Sequence, residues 1–163
     1  MKKKIDSAEK EFLKLIFDHQ KIIYKVCKTY RDSREDQEDL FQEIVYQLWK
    51  AYPSFRGESK ISSWMYRIAL NTAMAIYRKP KPPVDYVDKL PEQMHSDTGQ
   101  QVSENEERLF NALRMLNDTD KALISLYLED FTYQEIAAIT GITDNNTGVR
   151  INRIKNKLKE LLK

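Results

Sequence analysis

Asp39, Gln42 and Glu43 form a short acidic and amide row within Asp39-Leu40-Phe41-Gln42-Glu43-Ile44-Val45-Tyr46-Gln47-Leu48-Trp49, and the chemistry open to them is recognition. Phe41, Ile44, Val45 and Leu48 recur at the three-and-four spacing of a buried helix face, so Asp39, Gln42, Glu43 and Tyr46 are expected largely around the other side. Such a row can meet an arginine-rich partner through charge-assisted hydrogen bonds. By itself it is also what a solvated helix face looks like, and its meaning comes from the rest of the chain.

A second set of donors lies near the C-terminus. Asn146, Arg150, Asn152, Arg153, Lys155 and Lys157 supply amides and cations suited to base edges and phosphates. They follow Tyr133-Gln134-Glu135-Ile136-Ala137-Ala138-Ile139-Thr140-Gly141-Ile142-Thr143. There a small Ala137 allows close helix approach, Gly141 can take the positive φ of a tight turn, and Ile136 and Ile142 fill the wedge between helices. Thr143 or Asp144 would cap the next helix, and Asn145 through Lys157 would form the recognition helix of a helix-turn-helix. A third stretch, Phe55 to Asn71, sets Trp64, Tyr66, Ile68 and Ala69 on one helix with Arg67 and Asn71, and Trp64 and Ile68 are expected in the core.

No residues suggest catalysis: there is no glycine-rich phosphate loop, no candidate triad and no paired acid in an apolar setting. His19, His95 and Cys27 do not have metal-ligand spacing, so no metal or cofactor is expected. Cys27 sits among Ile22, Ile23 and Val26 on an apolar stripe and is expected to be buried. With one cysteine, no membrane-spanning run and no apolar segment behind the basic start, the expected setting is a reducing cytoplasm.

The elements that must position these residues are helical. Apolar content of 41% with frequent charge fits a soluble globular chain, and no alternating strand pattern persists. Net charge is only +2, but residues 144–163 carry a local net of +4 and residues 80–103 one of −2. Pro80, Pro82, Pro83 and Pro91 crowd one stretch with no apolar period, so helix must stop near Lys79. The expected fold is all-α in two small domains, residues 1–79 and 104–163, joined by a linker over 80–103. Helices are expected near 7–29, 35–51, 61–78, 104–116, 119–129, 133–140 and 144–161. Ser33 with Asp36, Ser59 ahead of Ile61, and the capping box Thr132-x-x-Glu135 mark three starts. Small halves bury a low fraction of their surface, so partner contacts are expected to contribute rigidity.

In this order the Asp-x-x-Gln-Glu helix, the Phe55 to Asn71 segment and the C-terminal helix-turn-helix resemble bacterial sigma factors of the extracytoplasmic-function group, the promoter-recognition subunits of RNA polymerase. The resemblance covers nearly the whole chain. It implies that Asp39, Gln42 and Glu43 bind the clamp helices of the polymerase's largest subunit. It implies that the loop Arg56, Gly57, Glu58, Ser59, Lys60, with Arg67 and Asn71, binds the minus-ten element, where a base enters a pocket of backbone donors and polar side chains. Asn146, Val149, Arg150, Asn152 and Arg153 would bind the minus-thirty-five element. The implied partners are core RNA polymerase, promoter DNA and, in some cases, an anti-sigma factor, with the linker threading along the polymerase. Two departures stand out: Gly148 where the family usually has a basic residue, and Thr140 where it has a large apolar one. The runner-up is a free-standing helix-turn-helix regulator that acts on specific DNA without polymerase.

Overall fold

The structure, a computed structural model, describes residues 2–75 and 103–163, with side chains from Ser7 in the first stretch. The expected helix end near Lys79 and the proline-rich linker up to residue 102 lie outside the described residues. Before that gap come α1 (Lys2–Asp18), α2 (Gln20–Tyr30), α3 (Arg34–Ala51), a 3-10 turn (Tyr52–Ser54) and α4 (Ile61–Ala75). After it come α5 (Glu104–Arg114), α6 (Asp118–Leu128), α7 (Tyr133–Thr140) and α8 (Asp144–Leu161). Among the described residues every regular element is helical, as the apolar periods predict.

The helix expected near 7–29 is two helices. At His19 the ladder tightens: its N–H is shared between the carbonyls of Leu15 (3.1 Å) and Ile16 (3.2 Å), and its own carbonyl accepts from Ile22. The imidazole Nδ1 lies 3.0 Å from the Leu15 carbonyl as well, so a side chain competes for the backbone without any glycine or proline to signal it. The start of α4 also differs from expectation. Lys60, not Ser59, occupies the cap position, and its carbonyl accepts from Trp64 N–H at 3.1 Å. The Phe55 ring lies 4.7 Å from that of Trp64 and Gly57 turns the chain at φ +73°, which together set where the loop returns.

The starts of α3, α5, α6, α7 and α8 follow the side-chain rule, in which a short oxygen accepts an unpaired N–H. Ser33 accepts from Asp36, Ser103 from Glu106, Asn117 from Asp120 and Thr143 from Asn146. α7 has the complete reciprocal box: Glu135 N–H donates to Thr132 Oγ1 at 3.1 Å and Thr132 N–H to Glu135 Oε1 at 2.9 Å.

Ile23, Leu40, Ile44, Leu48, Met65 and Leu70 pack the core of the first half, and Leu113, Leu123, Leu126, Ile136, Ile151 and Ile154 that of the second. Cys27 is fully buried; burial pushes its thiol well above the ordinary range, against a smaller opposing pull from Arg31, so it is an inert core atom. The two cores are continuous across a seam. There the Tyr30 hydroxyl donates to the Asp118 carbonyl (2.8 Å), Arg114 Nη1 to the Lys28 carbonyl (2.7 Å), and the Tyr66 and Phe131 rings meet edge to face at 5.6 Å. Lys25 pairs with Glu129 at the same seam. Lys121 is buried beneath it with its ammonium 5.3 Å from the Tyr30 ring, and burial holds its pKa below the usual lysine range, Asp118 opposing and Arg31 and Arg114 adding to the shift.

Gly141 closes α7 at φ +81° with its N–H on the Ala137 carbonyl at 2.8 Å. A Cβ there would meet nothing within 4 Å, so the only cost of Gly141→Ala is the left-handed backbone. The expected loss is about 1–2 kcal/mol, read as a lower urea midpoint with an unchanged slope.

Candidate polymerase and nucleic-acid interfaces

α8 buries Thr147, Ile151, Ile154 and Leu158 against α6 and α7. The opposite strip, Asn145, Asn146, Val149, Asn152, Arg153 and Asn156, is exposed and recurs at three-and-four spacing, so it forms one face. Of the residues expected to contact the minus-thirty-five element, Asn146, Val149, Asn152 and Arg153 lie on it. Asn145 and Asn156 also do; the apolar period that located Ile151 and Ile154 marks them by exclusion. Val149 stands half-exposed at the centre of this amide-rich surface.

Two cations sit on the flanks. Arg150 is part-buried and its Nη2 lies 3.3 Å from Asp120 Oδ1, so its guanidinium is committed to the start of α6. Lys155 donates to the Tyr127 hydroxyl (3.2 Å) and sits 4.9 Å over its ring. Gly148 faces Tyr133: a Cβ at 148 would stand 3.2 Å from that ring. The Tyr133 ring, from the first residue of α7, therefore crowds the position where the expected basic side chain would begin. Thr140 turns its hydroxyl inward, donating to the Ile136 carbonyl at 2.7 Å.

Arg56, Gly57, Glu58, Ser59 and Lys60 are all exposed, and Arg67 and Asn71 stand one turn apart on the exposed side of α4. Trp64 and Ile68 are part-buried against the core, as expected. Lys60 Nζ lies 3.1 Å from Glu135 Oε2, and Arg67 Nη2 donates to the Ala138 carbonyl at 3.0 Å; both partners are on α7. The Thr132 N–H and Lys60 together hold the Glu135 carboxyl below the usual range. A cavity of about 120 Å³ lies alongside, lined by Arg67, Asn71, Met74, Ile139 and Thr140.

The row on α3 is split. Asp39 and Gln42 are half-buried, whereas Glu43 is buried and accepts from Gln47 Nε2 at 3.0 Å. Glu43 thus lies on the margin of the core face, one step further round than its neighbours, and contributes to holding α3 as well as to its surface.

Residues 15–81 match the family model for sigma-70 region 2, and residues 106–158 that for sigma-70 region 4. The ECF RNA polymerase sigma-E factor of Escherichia coli is 30% identical, the match covering 95% of this chain and 90% of that one. The RNA polymerase sigma factor SigV of Bacillus subtilis is 29% identical, with 94% and 91% covered. The chain belongs to the ECF sigma factors. The sigma factor RpoE solved with the anti-sigma factor NepR from Bartonella quintana has the same fold, with a TM-score of 0.66 at 22% identity over 94% of this chain and 95% of that one. CnrH solved with the cytosolic domain of CnrY gives 0.66 at 20% identity, with 94% and 88% covered.

As a sigma factor the chain binds core RNA polymerase and promoter DNA and directs transcription initiation. Likeness to sigma factors across both halves disfavours a free-standing regulator. The region 2 match holds the α3 row and the loop before α4, and the region 4 match holds the helix-turn-helix. Among the described residues no helix is long and apolar enough to cross a membrane.

The flank position of Arg150 separates its role from that of Arg153. Arg153→Ala is expected to cost about 1–3 kcal/mol of promoter binding and to relax preference at one base position. Arg150→Ala should leave base preference intact and lower folding stability by up to about 1 kcal/mol through the lost Asp120 pair. Competition across single-base variants of the minus-thirty-five element, beside thermal melts, checks both.

Proposed function

We propose that this sigma factor docks on the polymerase clamp through Asp39 and Gln42, with Glu43 bracing the same helix, and reads promoter DNA at two places. The loop from Arg56 to Lys60, with Arg67 and Asn71, takes the melted minus-ten strand. The exposed face of α8 reads the minus-thirty-five duplex. What carries this division is the segregation of donors: an exposed glycine-containing loop on one half, and a single amide-rich helical face on the other.

The two surfaces suit different forms of DNA. A rigid helix face fits the major groove, where asparagine can pair with adenine and an apolar side chain can touch a thymine methyl. A loop with backbone donors and a positive-φ glycine suits a base taken out of the stack. The proposed domains are residues 1–79 and 104–163, with residues 80–103 running along the polymerase between them. An anti-sigma factor is a further proposed partner and a reducing cytoplasm the proposed setting. The chain acts by binding alone, with no chemical step of its own.

The deciding experiment is transcription with purified core enzyme on a pooled promoter library. Asp39→Ala with Gln42→Ala should weaken holoenzyme formation while leaving the helical fold intact by circular dichroism. Unchanged assembly in a pull-down would take α3 out of the polymerase interface. Ser59→Ala should depress transcription from duplex promoters and be rescued only partly by mismatches that pre-open the minus-ten region. Full rescue would mean that the loop opens the duplex without holding a base.

A further inference from the structure

Val149 is an apolar, β-branched side chain standing 51% exposed in α8, outside the set of residues that helix buries. Its neighbours three and four positions away along the helix, Asn145, Asn146, Asn152 and Arg153, are all polar and all exposed. Valine is a poorer helix former than most residues, because its branched Cβ restricts χ1 against the preceding turn. The same restriction holds its two methyl groups in one direction. Around it each asparagine amide offers donors and an acceptor, the set that pairs bidentately with adenine.

The cations suited to guanine are withdrawn from this part of the face. Position 148 is glycine and lies against the Tyr133 ring, Arg150 is committed to Asp120, and Lys155 to Tyr127. Lys157 and Lys159 lie more than two turns beyond Val149. Arg153, one turn on, is the nearest cation without such a commitment.

We propose that Val149 selects a thymine within the minus-thirty-five element by covering its C5-methyl group, with the flanking asparagines on adenines, so that this chain reads an A·T core. The inference rests on the proposed assignment of the α8 face to duplex DNA and adds the base that the face prefers. In the major groove thymine presents an O4 acceptor and a methyl group, whereas cytosine presents an amino donor. Valine has no hydrogen bond to give, so the methyl group is the feature it reads. A cytosine in the same place would have its amino donor covered without an acceptor, which is unfavourable. Side chains three or four residues apart on a helix stand about 5–6 Å apart at Cβ, against about 3.4 Å per base-pair step. Asn145 and Asn146 on one side and Asn152 on the other therefore address pairs about one to two steps from the thymine. Arg153 marks the edge of the core, where a guanidinium favours guanine.

The test uses holoenzyme assembled from core polymerase and the full chain. Selection from promoters randomised over the minus-thirty-five element gives the parent's preferred sequence, and the position at which Val149→Ala loses that preference is the one residue 149 reads. Val149 is exposed and alanine is the better helix former, so the variant should fold as the parent does, which thermal melting checks. Thymidine at that position is then replaced by deoxyuridine, which removes the methyl group and leaves the base pair's hydrogen bonds in place. Parent holoenzyme should bind the uridine promoter about fourfold more weakly, the worth of one buried methyl group, and the Val149→Ala holoenzyme should bind the two alike. With a C·G pair at that position, 5-methylcytosine should bind the parent better than cytosine. Asn152→Ala should relax a neighbouring position and keep the uridine effect. Selection of a G·C pair at that position by the parent, no position that depends on residue 149, indifference of the parent to uridine, or a uridine effect that survives Val149→Ala would each overturn the inference. A parent holoenzyme with no minus-thirty-five preference at all would overturn the proposed function and the inference with it, whereas a preference that ignores the methyl group overturns the inference alone.

Discussion

A helix as short as α7 cannot hold itself in water, because nucleating a helix costs more than two turns of hydrogen bonds return. It persists because both ends are satisfied and its middle is buried. Thr132 and Glu135 exchange hydrogen bonds at the start, Gly141 turns the chain at the finish, and Ile136 and Ala137 fix the face between. Everything presented to DNA by the second half depends on this, since α8 takes its direction from the turn after Gly141 and its seat from the same apolar wedge. The Tyr133 ring, at the first turn of α7, lies so close to position 148 that a side chain there would require the ring to shift by a few tenths of an ångström.

The same helix links the two halves of the molecule. Each half has a core of its own, yet those cores meet through side chains that bridge long stretches of sequence, Tyr66 on Phe131 and Lys121 beneath Tyr30. Burying Lys121 is unfavourable unless it finds compensation, and the Tyr30 ring face and Asp118 supply some of it while Arg31 and Arg114 oppose. The seam thus joins polar, charged and aromatic contacts, in contrast to the apolar wedge of Ile136, Ile151 and Ile154 within the second half.

Much of this was legible in the chain. Apolar spacing located α3 and α8 to within a few residues, and the Thr132–Glu135 spacing announced the capping box, because these are local rules with one dominant cause. Where two causes compete, the reading failed. His19 breaks a helix through a side-chain contact that its residue type does not announce. The choice between Ser59 and Lys60 at the start of α4 depends on where Phe55 finds Trp64. Glu43 and Arg150 looked like surface because their partners, Gln47 and Asp120, become visible only once helix faces and packing are known. The contacts of Lys60 and Arg67 with α7 span seventy residues or more and no local pattern could show them.

The distribution of charge gives the last step. Residues 144–163 are basic, but the structure commits Arg150 to Asp120 and Lys155 to Tyr127, which leaves Arg153 among the amides and Val149 of the exposed face, with exposed Lys157 and Lys159 further along the helix. Affinity for duplex DNA comes largely from phosphate neutralisation, whereas discrimination comes from base edges. A face rich in amides and poor in cations therefore discriminates better than it binds. That balance suits a subunit whose hold on the promoter is supplied mainly by the enzyme that carries it: strong DNA affinity in the free chain would scatter it over nonspecific sites, while a weak but selective face becomes effective once the polymerase has brought both halves to the duplex together.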